Sequence, residues 1–81
     1  VPAYVERLDG AGTTRVAARD LVAGDRVLIK PGATLPIDGI VRAGRSSCDE
    51  SMLTGESVPV PRGIGDAVLS GSVNIDSPLE I

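Results

Sequence analysis

The chain of 81 residues contains no histidine, tryptophan or phenylalanine, and Tyr4 is its single aromatic residue. It also has a single cysteine, Cys48, and a single lysine, Lys30. One thiol excludes an intrachain disulfide, and one thiol without histidine excludes a zinc site of the Cys/His kind. We therefore expect no metal site in this chain. One aromatic ring also provides no platform on which nucleotide bases could stack.

The charge balance also argues against a nucleic-acid surface. Eleven acidic residues outweigh eight basic ones, for a net charge of −3. The basic residues are scattered, whereas a nucleic-acid surface requires a cluster of them. We therefore expect no nucleic-acid partner.

Long apolar runs are missing as well. Runs such as Val27-Leu28-Ile29 are far shorter than the ~20 residues that a membrane-spanning helix requires. A chain of this length corresponds to one domain, residues 1–81, and its 42% hydrophobic content predicts a packed globule. The chain begins without methionine and ends at Ile81 within an apolar pattern, which we interpret as a piece of a longer protein.

What the sequence does contain is regular punctuation. Ten glycines and six prolines separate short runs rich in valine and isoleucine, a pattern typical of a small all-β domain with at most a helical turn. We predict a helical turn at Ala18–Val22 and an edge or irregular segment at Val58–Pro61, where two prolines remove ladder donors. Strands are predicted at Tyr4–Leu8, Thr14–Ala17, Arg26–Lys30, Leu35–Ile37, Gly39–Arg42, Ser46–Asp49, Ala67–Leu69, Ser72–Ile75 and Leu79–Ile81.

One stretch, Asp49–Ser57, combines three carboxylates with three hydroxyls in nine residues. Gly55 permits a positive φ or a close approach to another surface, and Thr54 and Ser57 can hydrogen-bond the nearby backbone. Such a loop could present Glu56 as a general base that orients water. On residue types alone, however, an ordinary solvated turn is the simpler interpretation.

Other segments change that balance when they are read in order with this loop. They are Gly24–Val27 with Lys30–Gly32, Leu35–Gly39, Asp49–Ser57 with Pro59-Val60, and Gly65-Asp66 with Gly71 and Asn74. Together they resemble the actuator domain of P-type cation-transporting ATPases. The compact spacing between Leu35–Gly39 and the Thr-Gly-Glu loop is similar to the heavy-metal branch, and Asn74–Leu79 is similar to copper pumps.

The resemblance implies a distorted jelly roll, related to a double-stranded β-helix, inserted between two membrane helices. It implies that Glu56 positions the water that hydrolyses an aspartyl-phosphate on a separate phosphorylation domain. Gly55 would permit the close approach, while Thr54 and Ser57 would shape the loop. Rotation of the domain would couple hydrolysis to movement of the membrane helices.

The resemblance also implies the partners and the location. The partners are the phosphorylation domain, the nucleotide-binding domain and the transmembrane helices of the same chain. ATP and Mg²⁺ would be bound by those other domains, with no cofactor in this one. The location would be the cytoplasmic side of a bacterial inner membrane. The isolated chain is expected to be monomeric and without ATPase activity.

Two alternatives remain open on the sequence. A non-catalytic carrier or binding module, such as a small biotinyl or lipoyl β-barrel, fits the length and composition, although Lys30 precedes Pro31-Gly32 and is not at a hairpin tip. The other alternative is a plain interaction module that binds an acidic-tolerant partner through its loops.

Overall fold

Short antiparallel strands joined by tight turns make up most of the regular structure. A computed structural model describes residues 3–81 of the chain. Within this range, the strands are β1 (Tyr4–Asp9), β2 (Gly12–Ala17), β3 (Val27–Ile29), β4 (Gly39–Ile40), β5 (Ser46–Asp49), β6 (Val60–Arg62), β7 (Ala67–Val68), β8 (Val73–Asn74) and β9 (Leu79–Glu80). A 3-10 turn covers Ala18–Asp20, and one turn of α-helix, α1, covers Ser51–Thr54. The predicted all-β class is confirmed.

The strands form two sheets and a separate two-stranded ribbon. One sheet has the order β2-β1-β3-β9, the other has the order β6-β5-β8, and β4 pairs with β7. Every pairing between these strands is antiparallel. The first two predicted strands are present and pair as a hairpin, with Tyr4 opposite Ala17 and Asp9 opposite Gly12. Its turn contains Gly10 at φ 62°, a conformation that glycine adopts without steric cost.

The core lies between the sheets and is built from aliphatic side chains. Alternate residues of β3 and β5 point inward, because successive strand side chains face opposite sides of a sheet. This aliphatic composition follows from the near absence of aromatic residues. The buried apolar residues that pack together are Val5, Val27, Ile29, Leu35, Val41, Cys48, Val68, Leu79 and Ile81.

The strand predicted at Leu35–Ile37 is wrong. Only the neighbouring Thr34 forms an isolated bridge, with Val73. Leu35 is buried, and it exchanges backbone hydrogen bonds with Ser72 and Gly71 at 2.8 and 2.9 Å. The next residue, Pro36, has no N–H group with which to continue the ladder. The segment is therefore buried and hydrogen-bonded without being a strand.

The region around the acidic stretch also differs from the prediction. The helical turn expected at Ala18–Val22 is present but shorter, and a second one, α1, lies within the segment that we predicted as a loop. β6 forms the edge of its sheet, as the prolines indicated. β5 and β6 therefore pair as a hairpin, and the connection between them consists of α1 and residues 55–59.

No helix within residues 3–81 combines the length and the apolar composition needed to cross a membrane.

Candidate functional site

The acidic stretch begins where β5 passes into α1. The carboxylate of Asp49 accepts a hydrogen bond from the backbone N–H of Ser51, the first residue of the helix, at 2.9 Å. This bond satisfies one of the donors that a helix leaves free at its start. It is also the main reason why the pKa of Asp49 lies below its ordinary value.

Gly55 ends the helical turn. Its N–H donates to the carbonyl of Ser51 at 2.8 Å, and its φ of 79° lies in the left-handed region. A glycine in this conformation is a common way for a helix to end. The expected positive φ is confirmed. A Cβ built on Gly55 would meet no atom within 4 Å, so the backbone conformation, and not crowding within the domain, requires glycine here.

Thr54 stabilises the turn through two hydrogen bonds to its backbone. Its hydroxyl Oγ1 donates to the carbonyl of Glu50 at 3.2 Å and accepts from the N–H of Glu56, also at 3.2 Å. This is the backbone bonding that the sequence led us to expect of Thr54. Ser57 is exposed, and its hydroxyl makes no hydrogen bond within residues 3–81. Its part in shaping the loop stays a prediction.

Glu56 is exposed at the far side of this turn. Its backbone is held by Thr54, whereas its carboxylate has neither a hydrogen-bond partner nor an ion-pair partner within the described range of 3–81. The neighbouring Met52 and Val58 are 86% and 71% exposed. The loop therefore presents a free carboxylate, flanked in sequence by two exposed apolar residues and available to a group outside the domain.

A contact with another loop supports α1 from below. Leu53 lies close to Gly71. A Cβ atom added to Gly71 would be only 3.2 Å from Leu53 Cδ2. The adjacent Ser70 donates its N–H to the carboxylate of Asp38 at 2.7 Å. Asp38 is thus connected to the Thr-Gly-Glu loop through Ser70 and Gly71 to Leu53. Met52 and Leu53 are not core residues, since both are exposed.

Sequence reasoning missed the buried ion pair between Glu50 and Arg62. Arg62 Nη2 lies 2.9 Å from Glu50 Oε2, and the two side chains are 22% and 8% exposed. One signal was available in the sequence. Glu50 follows Ser46 and Cys48 at the alternating positions that face inward, and a buried charge requires a partner.

Three further residues have structural roles. Asp25 accepts from the N–H of Val22 at 3.0 Å, and Asp66 accepts from the N–H of Gly63 at 2.8 Å, each within its turn. Cys48 is fully buried, and burial raises the pKa of its thiol. Across residues 3–81, no three acidic or cysteine side chains come together as a group that could hold a metal ion.

The comparisons with known proteins agree on one family. The family model described as the P-type ATPase actuator domain matches residues 1–81. The chain is 49% identical over 69 residues to a zinc-transporting ATPase of Bacillus subtilis, covering 85% of this chain and 11% of that protein. It is 53% identical over 66 residues to the copper-transporting ATPase PAA2, chloroplastic, of Arabidopsis thaliana, covering 82% of this chain and 8% of that protein.

The fold matches a solved structure of the same kind. In the crystal structure of a zinc-transporting PIB-type ATPase in the E2.Pi state, the matching region gives a TM-score of 0.91 at 38% identity. The match covers 98% of this chain and 13% of that one. The chain thus spans about a tenth of the length of the proteins that it matches.

Proposed function

Since the chain belongs to the P-type ATPase actuator domain family, we propose that it is the actuator of a heavy-metal pump and that Glu56 positions the water that hydrolyses an aspartyl-phosphate. The observation that carries the proposal is the exposed carboxylate of Glu56 on a turn fixed by Thr54 and ended by Gly55 at φ 79°. The family match favours this function over a carrier or a plain interaction module.

The chemistry fits a single carboxylate. The oxygen of a water molecule attacks phosphorus, the bond from phosphorus to the aspartyl oxygen breaks, and inorganic phosphate and the free aspartate are released. The carboxylate of Glu56 accepts the proton that the water loses. Catalysis of phosphoryl transfer depends mainly on placing the nucleophile and stabilising charge, so a carboxylate held on a short, hydrogen-bonded turn is well suited to the step.

The proposed setting follows from the family. The domain would lie on the cytoplasmic side of a membrane, a bacterial inner membrane in our interpretation, and contact the phosphorylation domain, the nucleotide-binding domain and the membrane helices of the same chain. ATP and Mg²⁺ would be held by those other domains. Met52 and Val58, which flank Glu56 in sequence, are exposed. Covering apolar side chains lowers the free energy, so these two residues support docking of the loop against a neighbouring domain.

The steady-state behaviour of the full-length pump tests this function. In Glu56→Gln the carboxylate becomes an amide that cannot accept the proton, whereas phosphorylation by ATP does not use the loop. We expect ATP turnover to fall by ~10²–10⁴, the usual contribution of a positioned base, while the amount of phosphoenzyme at steady state rises. Unchanged turnover in this variant would show that Glu56 has no part in the cycle.

For the cargo we propose a heavy-metal cation, and more specifically copper, which the segment Asn74–Leu79 favours. The identities to the zinc-transporting and copper-transporting relatives, 49% and 53%, support the class and do not separate the two metals. ATP hydrolysis by the full-length pump should be stimulated by Cu⁺ and not by Zn²⁺. Stimulation by Zn²⁺ alone would contradict copper and leave the heavy-metal class in place.

A further inference from the structure

Two charged side chains meet beneath the Thr-Gly-Glu turn, and their burial calls for an explanation. Glu50 immediately precedes α1, and Arg62 is the last residue of β6. Their contact of 2.9 Å is largely buried, in contrast to the exposed pair of Lys30 and Glu6 at 3.4 Å. Taking two charges out of water costs about as much as their attraction returns, so burial of such a pair is weak evidence for a role in stability.

The position of the pair indicates what it fixes. Arg62 is opposite Ser46, at the end of β5 far from Glu50, while Val60 is opposite Cys48. The Arg62 side chain must therefore extend along the inner face, past Cys48, to reach Glu50. The resulting contact joins the residue before α1 to the strand that follows residues 55–59, and so it ties the two ends of the loop together.

A chain of hydrogen bonds leads from this pair to Glu56. The carbonyl of Glu50 accepts the backbone N–H groups of Leu53 and Thr54 at 2.9 and 3.0 Å, and the hydroxyl of Thr54 at 3.2 Å. The same hydroxyl accepts the N–H of Glu56. A change in the placement of Glu50 therefore reaches the backbone of Glu56 through a single intervening residue.

We propose that Glu50 and Arg62 are positioning residues that set the reach of Glu56 towards the phosphorylated aspartate. The inference rests on the proposed function, because it assigns a purpose to the pair only if Glu56 performs hydrolysis. Neither side chain touches the reacting atoms. They act through the backbone of the turn.

The contact with Glu50 uses only one of the three nitrogens of the Arg62 guanidinium group. Arg62 donates through Nη2 to Glu50 and through Nη1 to the carbonyl of Pro61 at 3.2 Å, while its buried Nε has no hydrogen-bond partner within residues 3–81. A bidentate fork would require arginine, whereas a single charged contact can be made by lysine. Arg62→Lys should therefore retain the positioning function.

The test measures how fast the phosphoenzyme of the full-length pump decays after unlabelled ATP is added in excess. The double variant Glu50→Gln with Arg62→Met removes both charges and leaves no buried charge unpaired, so it is compatible with folding. We expect its decay rate constant to fall by ~10–10², since small misplacements of a reacting group have effects of this size. Arg62→Lys should decay within about 3-fold of the wild type, because one contact of the same charge is kept.

The exposed pair provides the matched control. Glu6→Gln with Lys30→Met makes the same chemical changes in the other sheet, where a surface ion pair contributes little. Its decay should equal that of the wild type. A decay rate constant reports only on molecules that became phosphorylated, so a partial loss of folded pump would not change it. In a Glu56→Gln background, the Glu50 and Arg62 changes should add no further slowing.

The outcomes separate this inference from the proposed function. If Glu56→Gln slows decay but the Glu50/Arg62 double variant matches its control, the positioning role is wrong and the proposed function stands. If the double variant slows decay by the same factor with and without Glu56, the pair acts by another route and the inference is also wrong. Normal decay in Glu56→Gln would instead overturn the proposed function. Should the double variant not fold, Glu50→Met with Arg62→Met, which replaces the pair by apolar side chains and leaves no charge unpaired, compared with Glu6→Met and Lys30→Met decides the same question.

Discussion

Two single residues in this domain are constrained in different ways, one by backbone conformation and one by burial. The φ of 79° at Gly55 favours glycine, although nothing crowds its α-carbon. Cys48 is constrained by the space around it, because its side chain has no exposed surface at all. Both properties follow from the residue type, so both could be anticipated from the sequence: glycine within a polar turn, and cysteine within an alternating apolar pattern.

The burial of Cys48 predicts a chemically silent thiol. Burial raises its pKa, and only the thiolate reacts readily. We expect Ellman's reagent to label Cys48 in the native domain at least ~10³ more slowly than in the domain unfolded by denaturant, since labelling requires opening of the core. Comparable labelling rates would show that the thiol is accessible in the native state.

The raised pKa also sets the direction of a pH effect. The native state favours the neutral thiol, so this contribution to stability is complete below the ordinary pKa of 9.0. It is lost as the pH rises through the higher native pKa. Cys48→Ser should therefore flatten the decline of the free energy of unfolding on the alkaline side.

At the scale of elements, α1 depends on a turn that is remote in sequence. Leu53 lies over Gly71, the residue that follows Ser70 in the turn between β7 and β8. A four-residue helix forms too few hydrogen bonds to be stable alone, since helix formation begins with a costly nucleus. The contact with Gly71 and the bonds to Glu50 therefore hold α1 in place.

This dependence predicts different effects for two glycines with the same backbone. Gly71 and Gly65 have φ of 91° and 90°, but a Cβ would lie 3.2 Å from Leu53 at Gly71 and would meet no atom within 4 Å at Gly65. Each change to alanine should lower the free energy of unfolding by roughly 1–2 kcal/mol through backbone strain. Only Gly71→Ala should in addition shift the methyl resonances of Leu53. Equal shifts in both variants would refute the contact.

The elements also show where sequence reasoning stops. The hairpin of β1 and β2 was predictable because two alternating runs flank a glycine-rich turn. α1 was not predictable, because four residues are too few to show a helical period. The pair of Glu50 and Arg62 required the register of β5 with β6, which places side chains remote in sequence on one face. The exposed turn itself followed from local residue types.

At the scale of the whole molecule, the sheets form the body of the domain and the turn with Glu56 projects from it. The domain measures 34 × 28 × 20 Å along its principal axes, and its core is a continuous set of aliphatic side chains. Rotation of such a body moves the turn without deforming it. In the function that we propose, such a rotation would carry Glu56 to a site on another domain.

The most direct measurement of that account is the rate constant for decay of the phosphoenzyme in the full-length pump, compared between the wild type and Glu56→Gln. Glu6→Gln, which makes the same change on β1, is the control. The account predicts that Glu56→Gln slows decay by ~10²–10⁴ while Glu6→Gln leaves it unchanged. Decay of Glu56→Gln at the wild-type rate would contradict it.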